Sequence, residues 1–191
     1  LTRSARRDRG PPMTAAVGLP PILGHASIRH ELWDALAADR LHHALLFEGP
    51  EGSGRHLVAT RLALTSSCDA ATARPCGVCD ACRRILAGTH PDVLTLAPDP
   101  DAATPSIPVA AVRDVIRQAS LHRFSAPRRF ILIDPAEGLA PVAANALLKT
   151  LEEPNPGTHF ILIARHAQAL LPTIVSRCQR FRFGPVPEAE L

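Results

Sequence analysis

The sequence predicts an α/β domain: a parallel five-stranded sheet with helices on both faces and a small four-cysteine insertion. Three observations carry this. Short apolar runs without polar interruption recur at Ala44-Leu-Leu-Phe47, Phe130-Ile-Leu-Ile133 and Phe160-Ile-Leu-Ile163, as expected of strands buried on both faces. Segments with helical apolar spacing separate them, and helical crossovers impose a parallel sheet. Four of the five cysteines fall within fifteen residues, directly after the first crossover helix begins its descent from a glycine-rich turn.

Taken in order, Ile28 to Ala38 reads as a helix, with Ile28, Leu32, Trp33 and Leu36 on one face. Ala44 to Phe47 is the first strand, Gly49 to Gly54 a glycine turn, and Arg55 to Ser66 a second helix. Cys68 to Cys82 is the insertion. Val93 to Leu96 is a strand, Asp99 to Pro108 a Pro/Ala/Asp loop, and Val109 to Ser120 an amphipathic helix. Phe130 to Ile133 is a strand ending at Asp134. Val142 to Leu151 is a helix stopped by Glu152-Glu153-Pro154, since the residue before proline leaves helical conformation. Phe160 to Ile163 and the short, mixed Arg180 to Phe183 complete the five strands. Residues 1–19 read as an extension or a mis-assigned start, 20–184 as the core domain, and 185–191 as the start of a linker.

At 46% hydrophobic and 20% charged residues, the chain can bury a core and is not a disordered polymer. No apolar run reaches the ~18 residues of a membrane span. Arg6-Arg7 ahead of an apolar stretch is not read as an export signal, because Pro20 and Pro21 interrupt that stretch; a cytoplasmic location is expected. The net charge of +3 is already present in residues 1–12, which carry Arg3, Arg6, Arg7 and Arg9 against Asp8. The remainder balances, which disfavours a wholesale nucleic-acid binder. Arg123, Arg128 and Arg129 form the one local basic cluster noted.

The strand–turn–helix around Gly49-Pro-Glu-Gly52-Ser-Gly54-Arg55-His56 has the shape of a phosphate-binding loop. In such loops backbone N–H groups and the helix N-terminus face phosphate oxygens, lysine reaches the terminal phosphates, and a Ser/Thr hydroxyl binds magnesium. Here both chemical residues differ. Arg55 replaces lysine with a larger planar cation. His56 replaces the hydroxyl with imidazole, a poor ligand for a cation that prefers oxygen. Asp134 ends a hydrophobic strand as a metal-binding aspartate would, yet Pro135 follows where a water-activating acid would stand. Gly49, Gly52, Gly54, Arg55, His56 and Asp134 thus form a degenerate nucleotide site with weak or absent binding. The plain alternatives are an ordinary glycine turn and, for Asp134, a strand-end helix cap.

Cys68, Cys76, Cys79 and Cys82 follow the pattern C-x7-C-x2-C-x2-C. Four thiolates suit tetrahedral zinc, and two-residue gaps let successive sulfurs reach one ion. Structural zinc is the expected metal; disulfides and an iron–sulfur cluster stay open. Cys178 stands apart as a small buried hydrophobe.

Ile22-Leu-Gly-His25, His43-Ala-Leu-Leu-Phe47, the loop position, the cysteines, Asn145-Ala-Leu-Leu-Lys-Thr-Leu-Glu-Glu-Pro154 and Ser176-Arg-Cys178 occur in this order. The series resembles the bacterial DNA polymerase III clamp-loader subunits, which are AAA+ P-loop proteins, over roughly residues 20–185. The resemblance implies an AAA+ core that a helical lid and a collar domain normally follow. It implies tau/gamma ATPase subunits and a delta subunit as partners, with the sliding clamp and primed DNA reached through the complex. The departures at Arg55-His56, at Pro135, and at Ala164-Arg165, where a hydroxyl residue senses the gamma-phosphate, favour the non-hydrolysing delta-prime branch. In the family the arginine of Ser-Arg-Cys reaches a neighbour's ATP site, so Arg177 is expected to act in trans as an arginine finger. On its residues alone Arg177 reads as a solvated charge like Arg180 and Arg182. Lys149 and Glu152-Glu153 are expected to form helix-surface pairs and a subunit contact. The competing functions are an active tau/gamma-like motor using Arg55 and, from another class, a zinc-centred DNA-binding module.

Overall fold

A computed structural model describes residues 19–99, 106–121 and 123–186. The expected extension and the linker lie almost wholly outside these residues, as does most of the loop before Pro108. The elements are α1 (Ala26–Ala37), β1 (Ala44–Glu48), α2 (Arg55–Ser67), α3 (Asp80–Leu86), β2 (Val93–Leu96), α4 (Val109–Ser120), β3 (Arg129–Ile133), α5 (Pro141–Glu152), β4 (Thr158–Ala164), α6 (Pro172–Val175) and β5 (Gln179–Arg182). Single 3-10 turns occupy Ala136–Gly138 and Ala167–Ala169.

The five strands form one sheet in the order β2-β3-β4-β1-β5. Every adjacent pair is parallel, with Leu45 opposite Ile161 and Ile131 opposite Phe160. The three central strands are buried along their full length, which is why their sequences carry no polar alternation. Successive strand side chains still point to opposite faces. Leu45, Phe47, Phe130, Leu132, Ile161 and Ile163 meet Leu32 of α1, Val58 and Leu62 of α2, and Ile85 of α3. Leu46, Ile131, Ile133, Phe160 and Leu162 meet Val112 of α4, Leu147 and Leu151 of α5, and Ile174 of α6. Helices therefore cover both faces. Phe160 is fully buried, so its replacement by alanine costs about 3–5 kcal/mol.

α5 begins with proline at its first turn, where a missing N–H is harmless. Two helices escaped the sequence reading. α3 spans seven residues, beginning at the end of the cysteine segment and running past Cys82, and α6 only four. Both are too short for a periodic signal.

The basic cluster is a correction. Arg129 is 4% exposed and pairs at 2.8 Å with Asp92, which is 0% exposed. Arg128 donates to Asp39 and to the Leu36 carbonyl, and Arg123 to the Pro156 carbonyl. All three guanidinium groups are committed to the fold rather than displayed together. Asp92 also accepts from the backbone N–H groups of Phe124, Ser125 and Ala126. Burial pushes its pKa up, but these donors and Arg129 outweigh that and hold it at about 2.

Candidate functional site

The glycine turn leaves the carboxyl end of β1 and enters α2, the position where open parallel sheets gather ligands. Gly49 is required by close approach: a Cβ there would stand 2.2 Å from the Phe183 carbonyl oxygen. Gly52 and Gly54 hold φ of 78° and 82°, the left-handed region that glycine enters freely. α2 starts at Gly54 without a side-chain cap, so its first-turn N–H groups lack a local side-chain acceptor. The loop is braced from outside by His25, whose Nε2 lies 3.0 Å from the Ser53 carbonyl and whose ring meets Phe183 edge-on. His25 was legible only as part of a resemblance.

A cavity of about 880 Å³ opens beside this loop, within the usual size of a small-molecule site. Its rim holds Glu51, Arg55, His56, Asp134, Glu137 and Arg165, and its apolar wall includes Ile85 and Leu86 of α3. The sequence reading gave α3 no part in the site, and it did not assign Glu51.

The charges of the cavity are paired within the chain. His56 Nδ1 sits 2.7 Å from Asp134 Oδ2. The carboxylate acting as hydrogen-bond acceptor raises the His56 pKa against a smaller effect of burial. The residue at the magnesium-hydroxyl position and the residue at the metal-aspartate position thus hold each other. Arg55 donates to the carbonyl oxygen of Ala164, the last residue of β4. Arg165 Nη2 donates to Glu51 Oε2 at 2.6 Å. Glu137 accepts from the Arg165 backbone N–H, while its second oxygen is buried without a hydrogen-bond partner. Glu137 therefore reaches the cavity from the 3-10 turn, although Pro135 occupies the place next to Asp134.

Glu48, the last residue of β1, ties this site to the chain's far end. It is 7% exposed and accepts from Arg180 and Arg182, both at 2.8 Å, and from the Ala167 N–H at 3.1 Å. Burial pushes its pKa up, but the Arg182, Arg180 and Ala167 donors pull it below the ordinary value. Arg180 and Arg182 are thus paired with Glu48, while Arg182 remains largely exposed, as a solvated charge would be.

Arg177 lies between α6 and β5 and folds against the C-terminal end of α5. Its Nε donates to Glu152 Oε1 at 2.9 Å, its Nη2 donates to the same oxygen, and its Nη1 donates to the Thr173 carbonyl at 2.7 Å. Glu152 thus pairs across to Arg177 rather than with Lys149 along its own helix. Cys178 packs partly buried on the α5 side of the sheet, where burial pushes its thiol up to about 12.

The four cysteines converge. Cys68 caps the end of α2, Cys79 caps the start of α3, and Cys82 lies in the first turn of α3. All four sulfurs lie within 4.8 Å of one another. A tetrahedral ion bonded at about 2.3 Å would set them about 3.8 Å apart, so a small contraction suffices. Backbone N–H groups of Cys76, Cys79 and Cys82 point at the preceding sulfurs at 3.3 to 3.5 Å. Such donors favour thiolates: those of Val78 and Cys79 lower the Cys76 pKa to about 6, whereas burial raises that of Cys82. No disulfide joins any two of the five cysteines among the described residues. The donor set fits a metal ion.

A family model described as DNA polymerase III, delta subunit matches residues 24–187. The delta-prime subunit of Pseudomonas aeruginosa is 42% identical over 160 residues, covering 83% of this chain and 48% of that protein. The tau subunit of Escherichia coli is 37% identical over 161 residues, covering 84% of this chain and 24% of that protein. This chain spans about half the length of the curated delta-prime relatives it matches. Among solved structures, a DNA polymerase III gamma subunit-related protein from Thermotoga maritima superposes with a TM-score of 0.62 at 24% identity, covering 83% of this chain and 47% of that one. The fold is thus shared with that gamma subunit-related protein. The chain belongs to the DNA polymerase III delta-subunit family, on the branch whose curated members are named delta-prime.

Proposed function

We propose that this chain is the non-hydrolysing core of a delta-prime-type clamp-loader subunit. It works in the cytoplasm with tau/gamma-type ATPase subunits and a delta subunit, helping place the sliding clamp on primed DNA. The observation that carries this reading is the His56–Asp134 pair at 2.7 Å. Hydrolysis of a triphosphate needs a metal bridging its terminal phosphates and a group orienting the attacking water. Here the His56 imidazole engages the carboxylate that would hold the metal, Arg55 is turned toward the Ala164 carbonyl, and no acid follows Asp134 directly. Gly49, Gly52 and Gly54 keep the loop's backbone shape, which allows at most weak nucleotide binding. Cys68, Cys76, Cys79 and Cys82 hold a structural zinc that staples α3 to the end of α2.

The catalytic contribution is made in trans. Arg177 supplies a guanidinium to the ATP site of the adjoining subunit, stabilising the charge that develops on the transferring phosphoryl group. In a complex reconstituted with a tau-type ATPase, Arg177→Ala lowers clamp- and DNA-stimulated hydrolysis by about 10³-fold or more. Unchanged hydrolysis would contradict the role. The competing motor reading has the tau resemblance behind it. It requires turnover by the purified chain through Arg55, and the side-chain chemistry of the cavity opposes it.

A further inference from the structure

We infer that Glu152 is a positioning residue for the Arg177 guanidinium, aiming it outward for a neighbour's triphosphate. The inference rests on Arg177 acting in trans.

Both Nε and Nη2 of Arg177 donate to the single oxygen Oε1 of Glu152. Nη1 is tied back to the Thr173 carbonyl at 2.7 Å and lies 3.4 Å from Ser176 Oγ. A guanidinium carries five N–H donors in a rigid plane. These contacts anchor its side edge and leave an Nη2 N–H without a partner inside the described chain. The side chain is 32% exposed, so the guanidinium stands at the chain's surface rather than in its core. A free arginine carries about 2 kcal/mol of rotamer entropy. Two anchors, one on α5 and one on α6, remove most of that freedom before any phosphate arrives, which is what preorganised charge stabilisation requires.

Stability does not explain the pair. Its members are 32% and 48% exposed, and exposed ion pairs contribute little. Glu152 is moreover the last residue of α5, where an acidic side chain opposes the helix dipole. A local rule is broken there without a matching gain in packing, and such breaks concentrate at functional positions. Lys149, the basic residue in that last turn, does not take Glu152; the contact goes to a residue 25 positions away.

The test is steady-state hydrolysis by the neighbouring ATPase in a reconstituted complex, with kcat and KM for ATP separated. Glu152→Ala is expected to lower kcat about 10- to 100-fold, as misplacement of a catalytic group does, with KM for ATP unchanged. Glu152→Gln keeps an acceptor for the guanidinium and retains most of the rate. The double variant Glu152→Ala/Arg177→Ala is no slower than Arg177→Ala alone, because the two residues act as one unit. A merely structural Glu152 would give additive effects and the same loss for alanine and glutamine. If Glu152→Ala leaves the rate intact or raises it while Arg177→Ala abolishes it, the positioning role is overturned and the finger stands. If Arg177→Ala changes nothing, both fall. Thermal melting of each variant separates these outcomes from loss of folded protein.

Discussion

Replacing Glu48 should loosen the link between the glycine loop and the Arg177 segment by a calculable amount. Glu48→Ala leaves the Ala167 N–H, on a residue 5% exposed, without its acceptor. A buried donor left unpaired costs about 1–3 kcal/mol. Arg180 and Arg182 are 36% and 78% exposed, so both rehydrate, and each lost pair is worth only about 0.2–1 kcal/mol. The sum is about 1.4–5 kcal/mol. For a domain of this size each kcal/mol moves Tm by about 2–4 °C, giving a fall of roughly 3–20 °C by circular dichroism at pH 7. Glu48→Gln keeps one acceptor and should lose about half as much. The depressed Glu48 pKa fixes the sign with pH. Its contribution is present above the unfolded carboxyl value and is lost as pH falls through the folded one, so wild type and variant converge in acid. A Tm change under 1 °C, or equal losses for alanine and glutamine, would refute the reasoning.

Two further outcomes follow from the site. His56 has a raised pKa because of Asp134, so its stabilising contribution is present below the ordinary histidine value and lost as pH rises through the raised one. The stability gap between wild type and His56→Ala should therefore be wider at about pH 5.5 than at about pH 8.5; an equal gap at both would mean the contact is not an ion pair. Metal analysis should find one zinc per chain. Stripping it, or making Cys79→Ser, should speed hydrogen exchange in α3, which carries Cys82 and the cavity-wall residues Ile85 and Leu86. Unaltered α3 exchange after zinc removal would deny the staple.

The sheet was legible wherever burial was complete. Phe130 to Ile133 and Phe160 to Ile163 are strands because helices cover both their faces, and that leaves an uninterrupted apolar run in the sequence. The glycine turn and the cysteines were legible because their chemistry is local. α3 was not, since its seven residues include Cys82 and two arginines and so carry no apolar stripe. The pairings that define the site were illegible for a different reason. His56 and Asp134 stand 78 residues apart, and Glu48 and Arg180 stand 132 apart. Only the parallel register brings them together. Arg123, Arg128 and Arg129 misled because proximity in sequence was read as a shared surface, whereas Arg129 points into the sheet's end to meet Asp92.

The most direct measurement is magnesium-dependent ATP turnover by the purified chain alone. The account predicts none above background, since His56 engages Asp134 and no acid directly follows it to activate water. Steady turnover that requires magnesium and disappears in Arg55→Ala would contradict it.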